Sequence, residues 1–232
     1  MAVAFETIGT VSIRNSITST TIPAPSSIED NDLLLIGVSF RGDNTIGQPS
    51  GFTEVHDIDG DFLQTSISWK LASSESGDYV VTHVGMTGTK ERSAFCMRIS
   101  GVDLTTPFHT SETAARADAA APYTALTPVA TSTVDGCLII HVLLYRSTGT
   151  AGTAAISGVT ATEHADLSIN SVGLAVYSED ALQTVAGATT AATITTSGGN
   201  LVADAYTICI APLVAAAASG PKGQDMSYQW GW

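Results

Sequence analysis

Apolar and polar residues alternate along most of this chain. From Leu63 to Leu71 the odd positions Leu63, Thr65, Ile67, Trp69 and Leu71 form one row, and Gln64, Ser66, Ser68 and Lys70 form the other. That period of two is the signature of a half-buried strand. Phe95, Met97 and Ile99 alternate with Ala94, Cys96 and Arg98 in the same way, as do Tyr206, Ile208 and Ile210 with Ala205, Thr207 and Cys209. The pattern predicts strands near 3–13, 17–22, 32–40, 51–57, 62–71, 78–84, 92–100, 123–131, 136–146, 159–166, 171–178, 189–196 and 203–211. Turn chemistry separates them at Asp43-Asn44, Gln48 to Gly51, Asp59-Gly60, Ser76-Gly77 and Ser197 to Asn200, residues that tolerate left-handed backbone or preset a turn. Leu33 to Val38 and Leu138 to Leu144 are apolar at consecutive positions. Both faces of those strands must therefore be covered, by a loop of this chain or by a neighbouring subunit. Only the alanine-rich stretch 111–120 reads as a helix, and a short one.

The strand pattern also repeats. Asp32 to Phe40 is echoed by Gly136 to Leu144, Gly51 to Val55 by Gly158 to Thr162, Ser66 to Leu71 by Gly173 to Tyr177, and Ala94 to Ile99 by Ala205 to Ile210. Four matched segments in one order point to one supersecondary unit used twice to close a single core. The expected fold is all-β: a two-sheet jelly-roll-type sandwich built from an internal duplication, with a short helix in the inter-repeat linker and an extended C-terminal tail. One domain covers 1–213, with repeat halves at about 30–103 and 134–213, and 214–232 forms a linker and an aromatic tail.

Charge narrows the partners. The chain carries 22 acidic against 9 basic residues, a net charge of −13 with no basic run, so a phosphate backbone or an anionic membrane would be repelled. Cys96, Cys137 and Cys209 lie in apolar alternating segments, where a thiol packs as a small hydrophobe and an odd count argues against a disulfide framework. The N-terminus lacks the pattern of a secretory signal, and no apolar run reaches the roughly 20 residues of a membrane-spanning helix. The expected setting is assembly in a cytoplasm.

Candidate chemistry is sparse. Asp57, Asp59 and Asp61, with Glu54 and His56 just before them, are the densest group of oxygen ligands and the one candidate Ca2+ site. The spacing departs from an EF-hand loop, because Gly60 stands fourth and Ser68 stands twelfth, and a solvated hairpin turn is the plainer reading. His56, His83, His109, His141 and His164 show no metal spacing. His56 and His164 hold similar places in the two repeats, which points to a structural role, and His141 inside an apolar run reads as a satisfied core histidine. Glycosidase work needs two carboxyls across a cleft, and Glu179-Asp180 and Glu29, Asp30 and Asp32 fall at predicted strand ends or turns, where acids face water. No nucleophile elbow or phosphate loop is present, so no enzyme is expected. Met226, Tyr228, Trp230 and Trp232 close the chain. Aromatic residues of this kind dominate interface energetics, so the tail reads as a clip for a partner subunit, the plainer alternative being a tail folded back onto its own sandwich.

The segments Asp30 to Ile36, Pro49 to Val55, Ile67 to Ala72 and Arg98 to Asp103 carry a resemblance. They resemble, in order, the "GDLL" strand, the "P-x-G-W/F-T" turn, the "W-K" strand and the "R/Y-x-G-V-D" strand end of concanavalin-like or jelly-roll proteins of tailed bacteriophages and related particles. Phe52 stands where a tryptophan is common. The resemblance covers about residues 1–213 and leaves out the aromatic tail. It implies a non-enzymatic virion protein, a head decoration or cement protein or a head spike or fibre component, whose partners are other virion proteins and copies of itself. The alternative it leaves is an adhesin for host surface glycans, which exposed Tyr123, Tyr145 or Trp69 in a concave face would favour.

Overall fold

The computed structural model describes residues 2–213 other than 16–17, 43–44, 61, 86–87, 114–116, 120–122, 148–151 and 198–200, and their side chains other than those at 12, 110–113, 117–119, 123 and 201. The chain is all-β, built from antiparallel sheets. A first main sheet has the order β1 (Ala4–Asn15), β8 (Lys90–Ser100), β3 (Leu33–Phe40), β6 (Gln64–Leu71), β5 (Thr53–Ile58). A second has the order β10 (Ala117–Ala119), β19 (Leu201–Ile210), β13 (Leu138–Ser147), β16 (Val172–Glu179), β15 (Ala161–Ile169), with β9 (Phe108–Thr113) also paired to β19. Two smaller sheets run β2 (Ser19–Ile22), β7 (Tyr79–Val84), β4 (Thr45–Gly47) and β11 (Tyr123–Leu126), β18 (Thr193–Thr196), β14 (Ala154–Ser157). A short ladder joins β12 (Thr131–Ser132) to β17 (Gly187–Ala188).

The helix expected over 111–120 is not formed among the described residues. Phe108–Thr113 and Ala117–Ala119 are strands on the edge of β19. Alanine and glutamate favour helix intrinsically, but the open edge of β19 offers this segment a ladder, and tertiary pairing outweighs a few tenths of a kcal/mol of propensity.

Alternation sorts most of the buried side chains into three cores, beside a small fourth cluster of Ala130, Cys137, Ile139 and Cys209. Leu33, Leu35, Ile67, Phe95, Met97 and Ile99 of the first main sheet meet Leu138, Ile140, Val142, Leu144, Val176, Tyr206, Ile208 and Ile210 of the second in one shared cluster. The opposite face of the first main sheet, with Leu34, Ile36, Val38, Phe40 and Cys96, packs on Ile22, Ile46, Tyr79 and Val81 of the β2-β7-β4 sheet. The opposite face of the second, with Leu143, Tyr145, Ala175 and Tyr177, packs on Ala125, Ala154 and Ile194 of the β11-β18-β14 sheet. The result is a stack of four layers. The unbroken apolar runs are thus covered on both faces by sheets of the same chain, and no neighbouring subunit is required for it. Each fully buried Leu, Ile or Val contributes about 1.5–3 kcal/mol relative to exposure, so the shared layer binds the two halves firmly.

Strand β6 departs from the half-buried reading, because Gln64, Ser66 and Ser68 are buried as well. Gln48 reaches over Ser66, its Nε2 donating to Ser66 Oγ at 2.6 Å. Across the shared layer, Thr65 Oγ1 donates to the buried Asp204 carboxylate at 2.7 Å and lies 2.6 Å from the Tyr206 hydroxyl. A hydroxyl has one proton, so Tyr206 donates to Thr65 and Thr65 to Asp204. The ends of β8 and β19 also meet: Val102 bridges Pro212, Asp103 N donates to Ala211 O at 3.0 Å, and Leu213 N to Gly101 O at 2.7 Å. The three cysteines are free and buried.

Candidate functional site

A concavity lies at the edge of β1 and β15, where the shared core opens. A groove of about 510 Å³ is lined by Val3, Phe5, Leu138, Thr162, His164, Ser178, Glu179, Asp180 and Leu182. A neighbouring hollow of about 360 Å³ shares Glu179 and Leu182 and continues over Gln183, Thr184, Thr189 and Thr190. The local backbone explains the placement. His164 is the extra residue of a β-bulge between Glu163 and Ala165, opposite Tyr177 and Val176 of β16, and a bulge re-aims the side chain it adds. The ring is stacked on Phe5 with centroids 3.5 Å apart, and its Nε2 lies 2.7 Å from Ser178 Oγ. Burial lowers the His164 pKa below the ordinary imidazole value, while the nearby Asp180 carboxylate works the other way.

The acids of the groove are held rather than free. Asp180 accepts from Thr162 Oγ1 at 2.6 Å. Glu179 Oε1 lies 3.1 Å from His141 Nε2, and His141 Nδ1 lies 3.2 Å from Thr127 Oγ1 and 3.4 Å from Thr207 Oγ1. His141 is therefore a fully hydrogen-bonded core residue, as its apolar run implied. Asp32 likewise departs from the expectation that it faces water: it is buried, ion-paired with Arg98 and accepting from Glu29 N. Strand-end acids here complete the edges of buried layers.

In form, Ser178 and His164 are a nucleophile beside a base. Ser178 is buried, however, and lies within a strand that is paired on both sides, to Ile140 of β13 and Thr162 of β15. A nucleophile projected for attack sits on a sharp exposed turn, so the pair works as a cross-strand clasp under the Phe5 ring. No spacing in the sequence announces this cluster, because Phe5, His164 and Ser178 come from three strands that only the sheet packing brings together.

The predicted sites fall elsewhere. Asp57 is exposed on β5 and Asp59 follows it. Burial, then the charges of Glu54 and Asp59, raises the Asp57 pKa above the ordinary carboxylate value. Among the described residues no group of three or more His, Cys, Asp or Glu is placed to hold a metal ion, and Asp61 lies outside the described residues, as do Met226, Tyr228, Trp230 and Trp232. Of the aromatics that would mark a glycan surface, Tyr145 is fully buried, its hydroxyl donating to Gly152 O at 2.8 Å. Trp69 is half-buried and stacked 6.2 Å from Phe108. The Tyr123 side chain is outside the described set.

The outer faces of the stack carry a different signal. None of the six strands β2, β4, β7, β11, β14 and β18 contains Asp, Glu, Lys or Arg. Thr21 pairs with Val80, Gly47 with Thr82, and Thr45 with Val84 on one face. Thr124, Thr195 and Ala155 line up on the other, beside Leu126, Thr193 and Ser157. Val80, Val84 and Leu126 are exposed at 48%, 64% and 60%. Comparison of the chain with protein-family models, curated proteins and solved structures returns no match.

Proposed function

We propose that this chain is a non-enzymatic structural component of a tailed phage or phage-like particle, a head decoration or cement protein or a head spike or fibre component. It is held by other virion proteins and by copies of itself. The observation that carries this reading is the pair of charge-free outer sheets in a chain of net charge −13. Flat rows of Thr, Val and Leu lose little on being dehydrated against a neighbour, whereas the acidic remainder keeps assembled particles apart. The tail residues Met226, Tyr228, Trp230 and Trp232 serve as the clip.

The architecture we infer is a duplicated jelly roll, which fits the phage resemblance. The main sheet β1-β8-β3-β6-β5 and small sheet β2-β7-β4 of one half match β9-β19-β13-β16-β15 and β11-β18-β14 of the other, with β10, β12 and β17 as additions. Matching irregularities support the duplication. Glu6 is the extra residue between Phe5 and Thr7 on the edge of β8, and His109 is the extra residue after Phe108 on the edge of β19. Val55 and His164 are the extra residues of β5 and β15. Laid ladder on ladder, Phe5 falls on Phe108, Leu33 on Leu138, and Phe95 on Tyr206.

The test is incorporation. Particles purified from a producing lysate should contain the chain in stoichiometric amount by mass spectrometry. A Val84→Glu, Leu126→Glu double variant that stays folded should be excluded from them, and so should a chain lacking residues 224–232. Particles without the chain, or full incorporation of both variants, would count against the proposal. A second reading, an adhesin for host surface glycans, is favoured by the groove at Phe5, Thr162, Glu179 and Asp180; a glycan array with and without Ca2+ tests it.

A further inference from the structure

The alternation that fills the shared core also decides what closes it at the end remote from the Phe5 groove. Leu33 and Leu35 face the shared layer, and the same row of β3 continues through Ser39 to Arg41. On the facing sheet the row Leu138, Ile140, Val142 and Leu144 continues to Arg146. The two rows end together, because Ser39 Oγ lies 3.1 Å from Gly173 O, and Gly173 is the ladder partner of Tyr145, next to Arg146.

Two buried carboxylates lie at this end, Glu91 and Asp204, the latter held by Thr65, the ladder partner of Ser39. The Glu91 side chain, 3% exposed, pairs with Arg14 Nε at 3.0 Å through one oxygen and with Arg41 Nη1 at 2.9 Å through the other. Among the described residues no ion pair reaches Arg146. Its guanidinium lies 5.3 Å above the ring of Phe62, which is 58% exposed. Its Nε is buried and has no hydrogen-bond partner among the described residues. Burial and then the charge of Arg41 lower the Arg146 pKa below the ordinary arginine value, with Glu91 acting in the opposite sense.

We propose that this end of the shared core binds a small oxyanion, a carboxylate or a phosphate, between the guanidinium groups of Arg41 and Arg146 with Phe62 as the floor. The guanidiniums of Arg14, Arg41 and Arg146 outnumber the two buried carboxylates of this end in a strongly acidic protein, and an oxyanion both offsets that excess and accepts from the idle Arg146 Nε. The planar guanidinium fork suits either group by two parallel hydrogen bonds. Phe62 adds an apolar surface for whatever carries the anion.

Titration of the full chain at low ionic strength tests the site, following the arginine Nε–H resonances by NMR with glucuronate, inorganic phosphate and glucose as probes. Saturable shifts with glucuronate identify a carboxylate ligand and with phosphate a phosphate ligand, and either supports the site. The affinity should fall at least tenfold in Arg41→Gln and Arg146→Gln, less in Arg146→Lys, and weaken with added NaCl. Arg146→Lys keeps the charge and serves if a Gln variant does not fold. No response to either anion, an equal response to glucose, or binding that survives both Gln variants would overturn the proposal.

Discussion

His83 offers the sharpest physical test of the layered core. It sits on the inward face of β7, 2% exposed, its ring stacked on Phe40 at 4.5 Å and its Nε2 2.8 Å from Thr20 Oγ1. Burial, then the Arg92 guanidinium, pushes its pKa from 6.5 down to about 4. At about 1.4 kcal/mol per pH unit this is about 3 kcal/mol between the two protonation states. Above pH 6.5 the imidazole is neutral in folded and unfolded chains alike and stability is unaffected. Between 6.5 and about 4 the unfolded chain takes up a proton that the folded chain refuses, so stability falls as pH falls. Urea unfolding of the wild type and of His83→Gln, which cannot titrate but keeps a polar group at Thr20, should give curves that diverge over this window. The wild type should lose about 3 kcal/mol more than the variant between pH 7 and pH 4. Carboxylates common to both chains cancel in the difference. Parallel curves through the window, or an NMR titration midpoint for His83 at pH 6 or above, would refute the reasoning.

Two packing predictions can be read from the same unfolding experiments. Gly173→Ala should cost about 1–3 kcal/mol, because a Cβ there meets the Tyr145 ring and sits 2.8 Å from Leu167 O; an unchanged urea midpoint would contradict it. Thr65→Val should cost about 1.5–3 kcal/mol by removing a donor from the buried Asp204 and an acceptor from the Tyr206 hydroxyl. A variant as stable as the wild type would mean that this relay adds nothing to the joint between the sheets.

Strand positions were legible wherever one face is apolar, as along β6, β8 and β19, because a period of two leaves little choice. The short strands β4 and β14 were not, since three or four residues such as Thr45–Gly47 are too few to show a period. The Ala-rich segment misled through intrinsic propensity, which the open edge of β19 overrode. Runs that are apolar on both faces hide which residue points which way, so under the proposed duplication a sequence match sets Leu33 against Cys137, where the ladders would set it against Leu138. The groove at Phe5 was invisible for a simpler reason: Phe5, His164 and Ser178 meet only through packing of strands far apart in the chain. Residues 214–232, where the aromatic clip was placed, lie outside the described set.

Among the described residues, every ladder of named strands closes within residues 4–100 or within 108–210, and only the Val102 to Pro212 bridge links the backbones of the two groups. A nick in the connection at Thr105-Thr106 would therefore sever no strand pairing. The two fragments would be held as a complex by the oily seam, the Thr65 relay and the Val102 to Pro212 bridge, and each made separately would present that seam naked to water. Split expression should yield partners that rescue one another's solubility, turning the joint between two parts of one polypeptide into a measurable association constant.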